Sequence, residues 1–265
     1  DCDADGVPDG SDTQRLFRPQ TGVCFDADGP PPPQFWWLSD RIIRPSRDLY
    51  GAPAVFTYDA AGNMTSGYLQ DYVWNEDGRL EAVYRGVAML ACYTYDEEGQ
   101  RLTSARFDDF EQTFYIGKLV EVRDDGSGPQ TVSFFFCNNE RVAEFDGEML
   151  YYHGDHLSSA SVVTGADGSL MQRLQYYPYG GTRFEVKASG FNGERVKHRF
   201  TGHEKDFAIG IYYANARYYD QRLGRFISCD PAAPDLSDPQ SLNPYAYCRN
   251  NPLKYMMVPE IRTSR

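Results

Sequence analysis

Several things are missing from this 265-residue chain, and each absence removes a class of function. No run approaches the ~20 consecutive apolar residues that cross a bilayer as a helix, so membrane insertion is not expected. A basic excess is missing too. With 26 Lys and Arg against 38 Asp and Glu, the net charge of −12 argues against neutralising nucleic-acid phosphates or docking on anionic lipid. The six cysteines, at positions 2, 24, 92, 137, 229 and 248, form no CxxC pair, which excludes a structural zinc site of the usual spacing. They are also too sparse for a disulfide scaffold. Bridging of Cys2 with Cys24 or of Cys229 with Cys248 in an oxidising compartment, and burial as thiols, both stay open. There is no Gly-x-Ser-x-Gly elbow and no Gly-rich phosphate loop. The four histidines (153, 156, 198, 203) have no nucleophile at a telling spacing, which argues against a hydrolase triad. The chain shows no signal peptide and opens on Asp1, so it reads as the C-terminal piece of a longer protein.

What is abundant points to β structure. There are 20 Tyr and 16 Phe, and 24 Gly with 16 Pro supply frequent turns. No window of 12 or more residues carries a 3.6-residue period. From about residue 54 an acidic residue precedes Gly at Asp77-Gly78, Glu98-Gly99, Asp125-Gly126, Asp146-Gly147 and Asp167-Gly168. The glycines step by 21, 27, 21 and 21 residues, and Tyr58-Asp59-Ala60-Ala61-Gly62 leads them by 16. A turn signal recurring about every 20 residues marks a repeat array, with Asp-Gly supplying the positive φ of a hairpin turn. Segments such as Arg101–Phe107, Arg141–Phe145 and Met171–Tyr176 alternate as strands do. In the first, Leu102 and Ser104 are expected on one face and Thr103, Ala105 and Phe107 on the other. The array is read as antiparallel hairpins side by side.

Ahead of the array, residues 1–14 are acidic, and residues 15–53 are irregular with Pro30–Pro33 as a stiff spacer. Asp1, Asp3, Asp5, Gly6, Asp9 and Asp12 fall at positions 1, 3, 5, 6, 9 and 12 of a Ca²⁺ loop. Val7 would lend its carbonyl at position 7. Hard oxygens at this spacing wrap a 6–8-coordinate cation, and Gly6 allows the sharp bend. Position 12 is Asp rather than Glu, and Pro8 follows Val7, so the loop resembles those of thrombospondin type 3 repeats more than a helical EF-hand. The bland alternative is a disordered acidic tail.

The densest pattern lies between Arg199 and Tyr255. It contains Arg199-Phe200-Thr201-Gly202, Gly210-Ile211-Tyr212-Tyr213, Ala216-Arg217-Tyr218-Tyr219-Asp220, Leu223-Gly224-Arg225-Phe226, Asp230-Pro231, Tyr245-Ala246-Tyr247 and Asn250-Asn251-Pro252. This run resembles the core-associated segment that closes Rhs/YD-repeat proteins, large bacterial surface and toxin-delivery proteins. Tyr58-Asp59 and Tyr95-Asp96 resemble the dipeptide that names the repeats, while Val73-Trp74-Asn75 and Val122-Arg123-Asp124 depart from it. The resemblance covers about residues 54–255. It implies an all-β fold: repeat hairpins over 54–198, a core segment over 199–256 that plugs them, and a divergent tail over 257–265. It also implies a structural role as the closing end of a secreted or cell-surface encapsulation protein. The partners it implies are the remaining repeats of a longer protein and an encapsulated C-terminal toxin.

In toxin-carrying members the core segment is an intramolecular aspartyl protease, which needs two carboxylates close enough to share a proton. By resemblance the candidates here are Asp230 and Asp238, with Asp235 between them. Two departures argue against self-cleavage. Asp230-Pro231-Ala232-Ala233 carries Ala where Gly is usual, and the second Asp-Pro-x-Gly expected after Asn-Asn-Pro reads Met257-Val258-Pro259-Glu260. The ordinary role of Asp before Pro is as a turn residue. His153, Asp155 and His156 have metal-ligand chemistry, but a strand points 156 away from the other two. Their Asp-His-Leu resembles a framework element of the family. Aromatic clusters (Phe35-Trp36-Trp37, Phe134–Phe136, Tyr212-Tyr213, Tyr218-Tyr219) offer a carbohydrate platform as an adhesin reading, against the commoner role of packing strand on strand.

Overall fold

The computed structural model describes residues 55–232 and 237–255. The candidate calcium ligands Asp1, Asp3, Asp5, Val7, Asp9 and Asp12, the linker to residue 54, Asp235 and the tail from 256 lie outside the described residues.

Local turn chemistry builds the sheet. At Tyr95-Asp96, the Asp96 amide donates to Gln100 O at 2.9 Å, Gly99 N donates to Asp96 O at 3.0 Å, and the Gln100 amide donates to the Asp96 carboxylate at 2.6 Å. Gly99 sits at φ 80°, where a side chain is strained. Asp59 makes the same contacts with Asn63, and so does Asn75 with Arg79. Asn75 is therefore a working replacement for the Asp of the repeat. In these three turns the capping residue is the one three positions before Gly, whereas at Asp125, Asp146 and Asp167 the acid adjacent to Gly caps the amide two residues on. In several hairpins the returning strand also carries one extra residue near its start: Glu81, Leu102, Val142, Ser161 and Arg183 are examples. Such bulges add twist and re-aim side chains. One consequence is that Leu102 is exposed while Ser104 is buried, so the two do not share a face as strict alternation predicts.

Among the described residues fourteen strands follow in sequence order as one open antiparallel sheet. The first five are β1 (Thr57–Tyr58), β2 (Met64–Gly67), β3 (Gln70–Trp74), β4 (Leu80–Arg85) and β5 (Ala88–Tyr95). Next come β6 (Arg101–Arg106), β7 (Gln112–Ile116), β8 (Val120–Asp124), β9 (Gln130–Cys137) and β10 (Glu140–Phe145). The sheet ends with β11 (Met149–Gly154), β12 (Ala160–Gly165), β13 (Leu170–Tyr176) and β14 (Thr182–Lys187). The repeat of 21 residues is two strands. The 27-residue step from Gly99 to Gly126 spans three, β6 to β8. An odd number of strands moves the Asp-Gly turns to the opposite end of the sheet. Turns before that step share an end, as Arg79 Nη1 donating to Gly99 O at 2.8 Å confirms.

A second sheet of four short antiparallel strands follows: β15 (Glu204–Asp206), β16 (Ile211–Ala214), β17 (Arg217–Asp220) and β18 (Arg225–Phe226). It lies against one face of the large sheet. Ile209, Ile211, Tyr218, Ile227 and Tyr245 are buried with Phe56, Tyr58, Met64, Tyr72, Leu80, Val83 and Tyr93 from β1–β5 and the residue before them. Phe200, Tyr212, Tyr219, Phe226 and Tyr247 form an aromatic core within the small sheet, where Tyr219 and Tyr247 stack at 4.0 Å. A third cluster joins Leu150, Tyr152, Ala160 and Val163 to Val196. The all-β expectation holds. Cys229 and Cys248 remain thiols and are not bridged to each other.

Candidate functional site: the ion-paired seam and the Asp-Pro turn

Between the apolar clusters the inner face of β6–β10 is charged, and residues 195–206 lie across it as its complement. Arg101 at the start of β6 is 4% exposed and pairs with Glu204 of β15. Its guanidinium donates to the Tyr115 hydroxyl at 2.6 Å and lies over the Tyr93, Tyr115 and Tyr213 rings at 5.6, 4.5 and 4.0 Å. The Tyr115 hydroxyl donates to the second oxygen of Glu204 at 2.7 Å. Burial pushes the Glu204 carboxyl up, but Arg101 and then Lys197 outweigh it and hold the group below its ordinary value. Two residues on, Asp206 accepts from the Tyr93 hydroxyl at 2.6 Å, and burial keeps its carboxyl raised.

The pattern continues along the segment. Lys197 pairs with Glu111 and donates to Thr113 Oγ1 at 3.1 Å. Arg195 reaches Asp146, Glu148 and the fully buried Glu144, whose carboxylate also takes the Tyr152 hydroxyl at 2.7 Å. Arg199 binds the carbonyls of Val196 and Gly193 and stacks on Phe207 at 4.7 Å. His198 is held neutral by burial, then by Arg141, Arg123, Lys197 and Arg101 around it. His203, buried against Tyr247, is lowered by burial to about 4.

Glu121, His198 and Glu204 bring one carboxylate or imidazole atom each within 4.8 Å of the others. The donor set suits a divalent cation, but its charges are already spent. Arg123 is 2.8 Å from Glu121, Arg101 and Tyr115 satisfy Glu204, and the cations facing His198 oppose another positive ion. The arrangement suits docking one segment of chain on another.

The two Asp-Pro carboxylates are not joined by a hydrogen bond among the described residues, and each is held by its own arginine. Asp230 lies 2.8 Å from Arg217, which stacks on Phe226 at 3.8 Å, and its other oxygen caps the Ala232 amide at 2.9 Å. Asp238 lies 3.1 Å from Arg249 and caps the 3-10 turn Pro239–Leu242 through the Gln240 amide at 3.0 Å. Both therefore serve turns.

His153, Asp155 and His156 do not converge. Asp155 caps Leu157 and Ser159, His153 bonds Thr164 at 3.0 Å, and His156 reaches Leu253 O at 3.3 Å. Tyr212, Tyr218 and Tyr219 are buried, so they pack and present no ring for a sugar. The seam was missed in the sequence. Its one visible signal is the density of charge in Glu194–Arg199 and Glu204–Asp206, in a segment with no helical period to place it on a surface.

Comparison with known proteins places this architecture. The Teneurin YD-shell family model matches residues 40–253, and the chain belongs to that family as an Rhs/YD-repeat protein. Among curated relatives, the tRNA3(Ser)-specific nuclease WapA of Bacillus spizizenii is 28% identical over 203 residues, 74% of this chain and 9% of that protein. Toxin subunit YenC1 of Yersinia entomophaga is 33% identical over 106 residues, 40% of this chain and 10% of that protein. The crystal structure of TcdB2-TccC3-Cdc42 shares the fold with a TM-score of 0.65 at 22% identity, over 76% of this chain and 10% of that one. The chain thus spans about a tenth of the length of these relatives.

Proposed function

We propose that this member of the Teneurin YD-shell family is the closing end of a longer Rhs-type encapsulation protein, with a structural role in delivering a toxin. The observation that carries this reading is the seam. Lys197, just ahead of the core segment, and Glu204 and Asp206 within it meet the buried Thr113, Arg101 and Tyr93 of β7, β6 and β5, which ties the segment to one place on the repeats. Among the described residues the large sheet is open at both edges, which leaves a strand edge for further repeats to pair with. Relatives include toxin subunits, and the partners proposed here are upstream repeats and a polypeptide following Tyr255. Secretion or surface display belongs to the same reading, as does a Ca²⁺ role for the acidic leader.

The test is protease protection in the full-length protein. The polypeptide that follows Tyr255 is expected to resist added protease in the wild type and to become sensitive in Arg101→Ala. Equal sensitivity in both would sink the proposal.

A further inference from the structure

Among the described residues β14 is the terminal strand of the large sheet, and all six of its residues are exposed. Its ladder with β13 fixes which backbone groups are spent. Ala188 N donates to Met171 O at 2.8 Å, in the same register as Lys187 opposite Gln172 and Phe184 opposite Gln175. Antiparallel alternation then turns the amides and carbonyls of Phe184 and Val186 toward β13, and those of Glu185 and Lys187 outward. Arg183, the extra residue of a bulge, ends the regular edge on one side. What remains is a short edge, Phe184–Ala188, with Phe184 and Val186 half exposed on one face and Glu185 and Lys187 on the other.

We propose that this edge pairs with the same edge of a second copy of the chain, antiparallel and centred on Val186. A two-fold axis through Val186 sets Glu185 opposite Lys187 of the other copy, twice, and Phe184 opposite Ala188. The outward backbone groups of Glu185 and Lys187 then meet in hydrogen-bonded pairs, giving four new backbone hydrogen bonds. Other symmetric registers fail on charge or geometry. Centring on Glu185 or Lys187 places like charges face to face, and centring on Phe184 draws in the bulge. Lys187 has no hydrogen bond or ion pair among the described residues. Glu185 receives Gln172 Nε2 on one oxygen at 2.6 Å and lies 3.5 Å from Arg199 through that same atom, leaving the other oxygen for a lysine. The pairing does not depend on the closing-end reading.

Sedimentation of the whole chain tests it. The wild type is expected to dimerise reversibly, and Lys187→Glu and Glu185→Lys each to weaken the dimer about tenfold or more. An equimolar mixture of the two variants is expected to restore it, because every reversed charge then meets its opposite. Lys187→Pro removes an outward backbone donor together with the lysine charge, and no donor that β13 uses, so it is expected to abolish dimerisation with the near-ultraviolet circular dichroism unchanged. A wild type that stays monomeric at its highest soluble concentration overturns the proposal. So does a dimer that survives Lys187→Pro, or two charge variants that fail to associate when mixed.

Discussion

The chain from Arg195 to Tyr247, which begins just ahead of the core segment, has two halves that dock in opposite ways. Residues 209–227, with Tyr245 and Tyr247, bury aromatic and branched side chains against β1–β5 and against one another. Residues 195–206 instead bury arginine, lysine, histidine and carboxylates against β6–β10. Removing apolar surface from water stabilises at roughly 25 cal/mol per Å² wherever shapes fit, and it tolerates sliding. Buried ion pairs add little net stability, because desolvation offsets their attraction, but a misplaced partner leaves an uncompensated charge. The apolar half therefore supplies most of the adhesion, and the charged half fixes position. In a repeat sheet whose hairpins resemble each other, that distinction decides which repeat the segment rests on.

The largest separation between the halves is expected from truncating the apolar one. Tyr219 is fully buried, stacks on Tyr247 and donates its hydroxyl to Tyr179 O at 2.9 Å. Tyr219→Ala is expected to cost about 3–5 kcal/mol in urea unfolding, as other large-aromatic truncations do. A loss below about 1 kcal/mol would erase the contrast.

A somewhat smaller effect is expected from pH, and it acts on the docked segment. The folded pKa of His203 is depressed from 6.5 to about 4 by burial. The unfolded chain therefore takes up a proton below pH 6.5 that the folded chain refuses. The stability linked to this group is complete above pH 6.5 and is lost as pH falls toward 4, by roughly 3 kcal/mol. His198, also depressed, acts in the same direction. His203→Phe is expected to flatten the stability profile between pH 6.5 and 4, and an unchanged slope would assign the acid sensitivity elsewhere.

The two halves also differed in how much of them could be read from the sequence. The apolar half was legible because Gly210–Tyr213, Ala216–Asp220 and Leu223–Phe226 are dense local patterns that become β16, β17 and β18 with their turns. The hairpins were legible too, through Tyr58-Asp59 and Tyr95-Asp96, and the structure adds that Asn75 serves as well because an amide oxygen caps the same turn. The meaning of the 27-residue step was hidden, since spacing alone does not show that an extra strand carries the turns to the other end. The seam was hidden for a stronger reason. Arg101, Glu121 and Glu144 occur in alternating strands where a charged position reads as a wet face, and their partners across the seam, Glu204, His198 and Arg195, lie far along the chain. Bulges such as that at Leu102 then break the alternation on which such a reading rests. Asp230 and Asp238 stand out in the sequence, by resemblance, as a carboxylate pair, with a turn role as the alternative for Asp230; in the structure each caps a turn and is held by its own arginine.

The central claim, that the charged half positions the segment through matched burial, is tested most directly by a double-mutant cycle on Arg101 and Glu204. Arg101→Met or Glu204→Leu alone leaves one buried charge unpaired and is expected to destabilise by about 3–5 kcal/mol. The double variant replaces the pair by apolar groups and is expected to recover most of that loss, giving a coupling energy above about 2 kcal/mol. Losses that simply add in the double variant would contradict it.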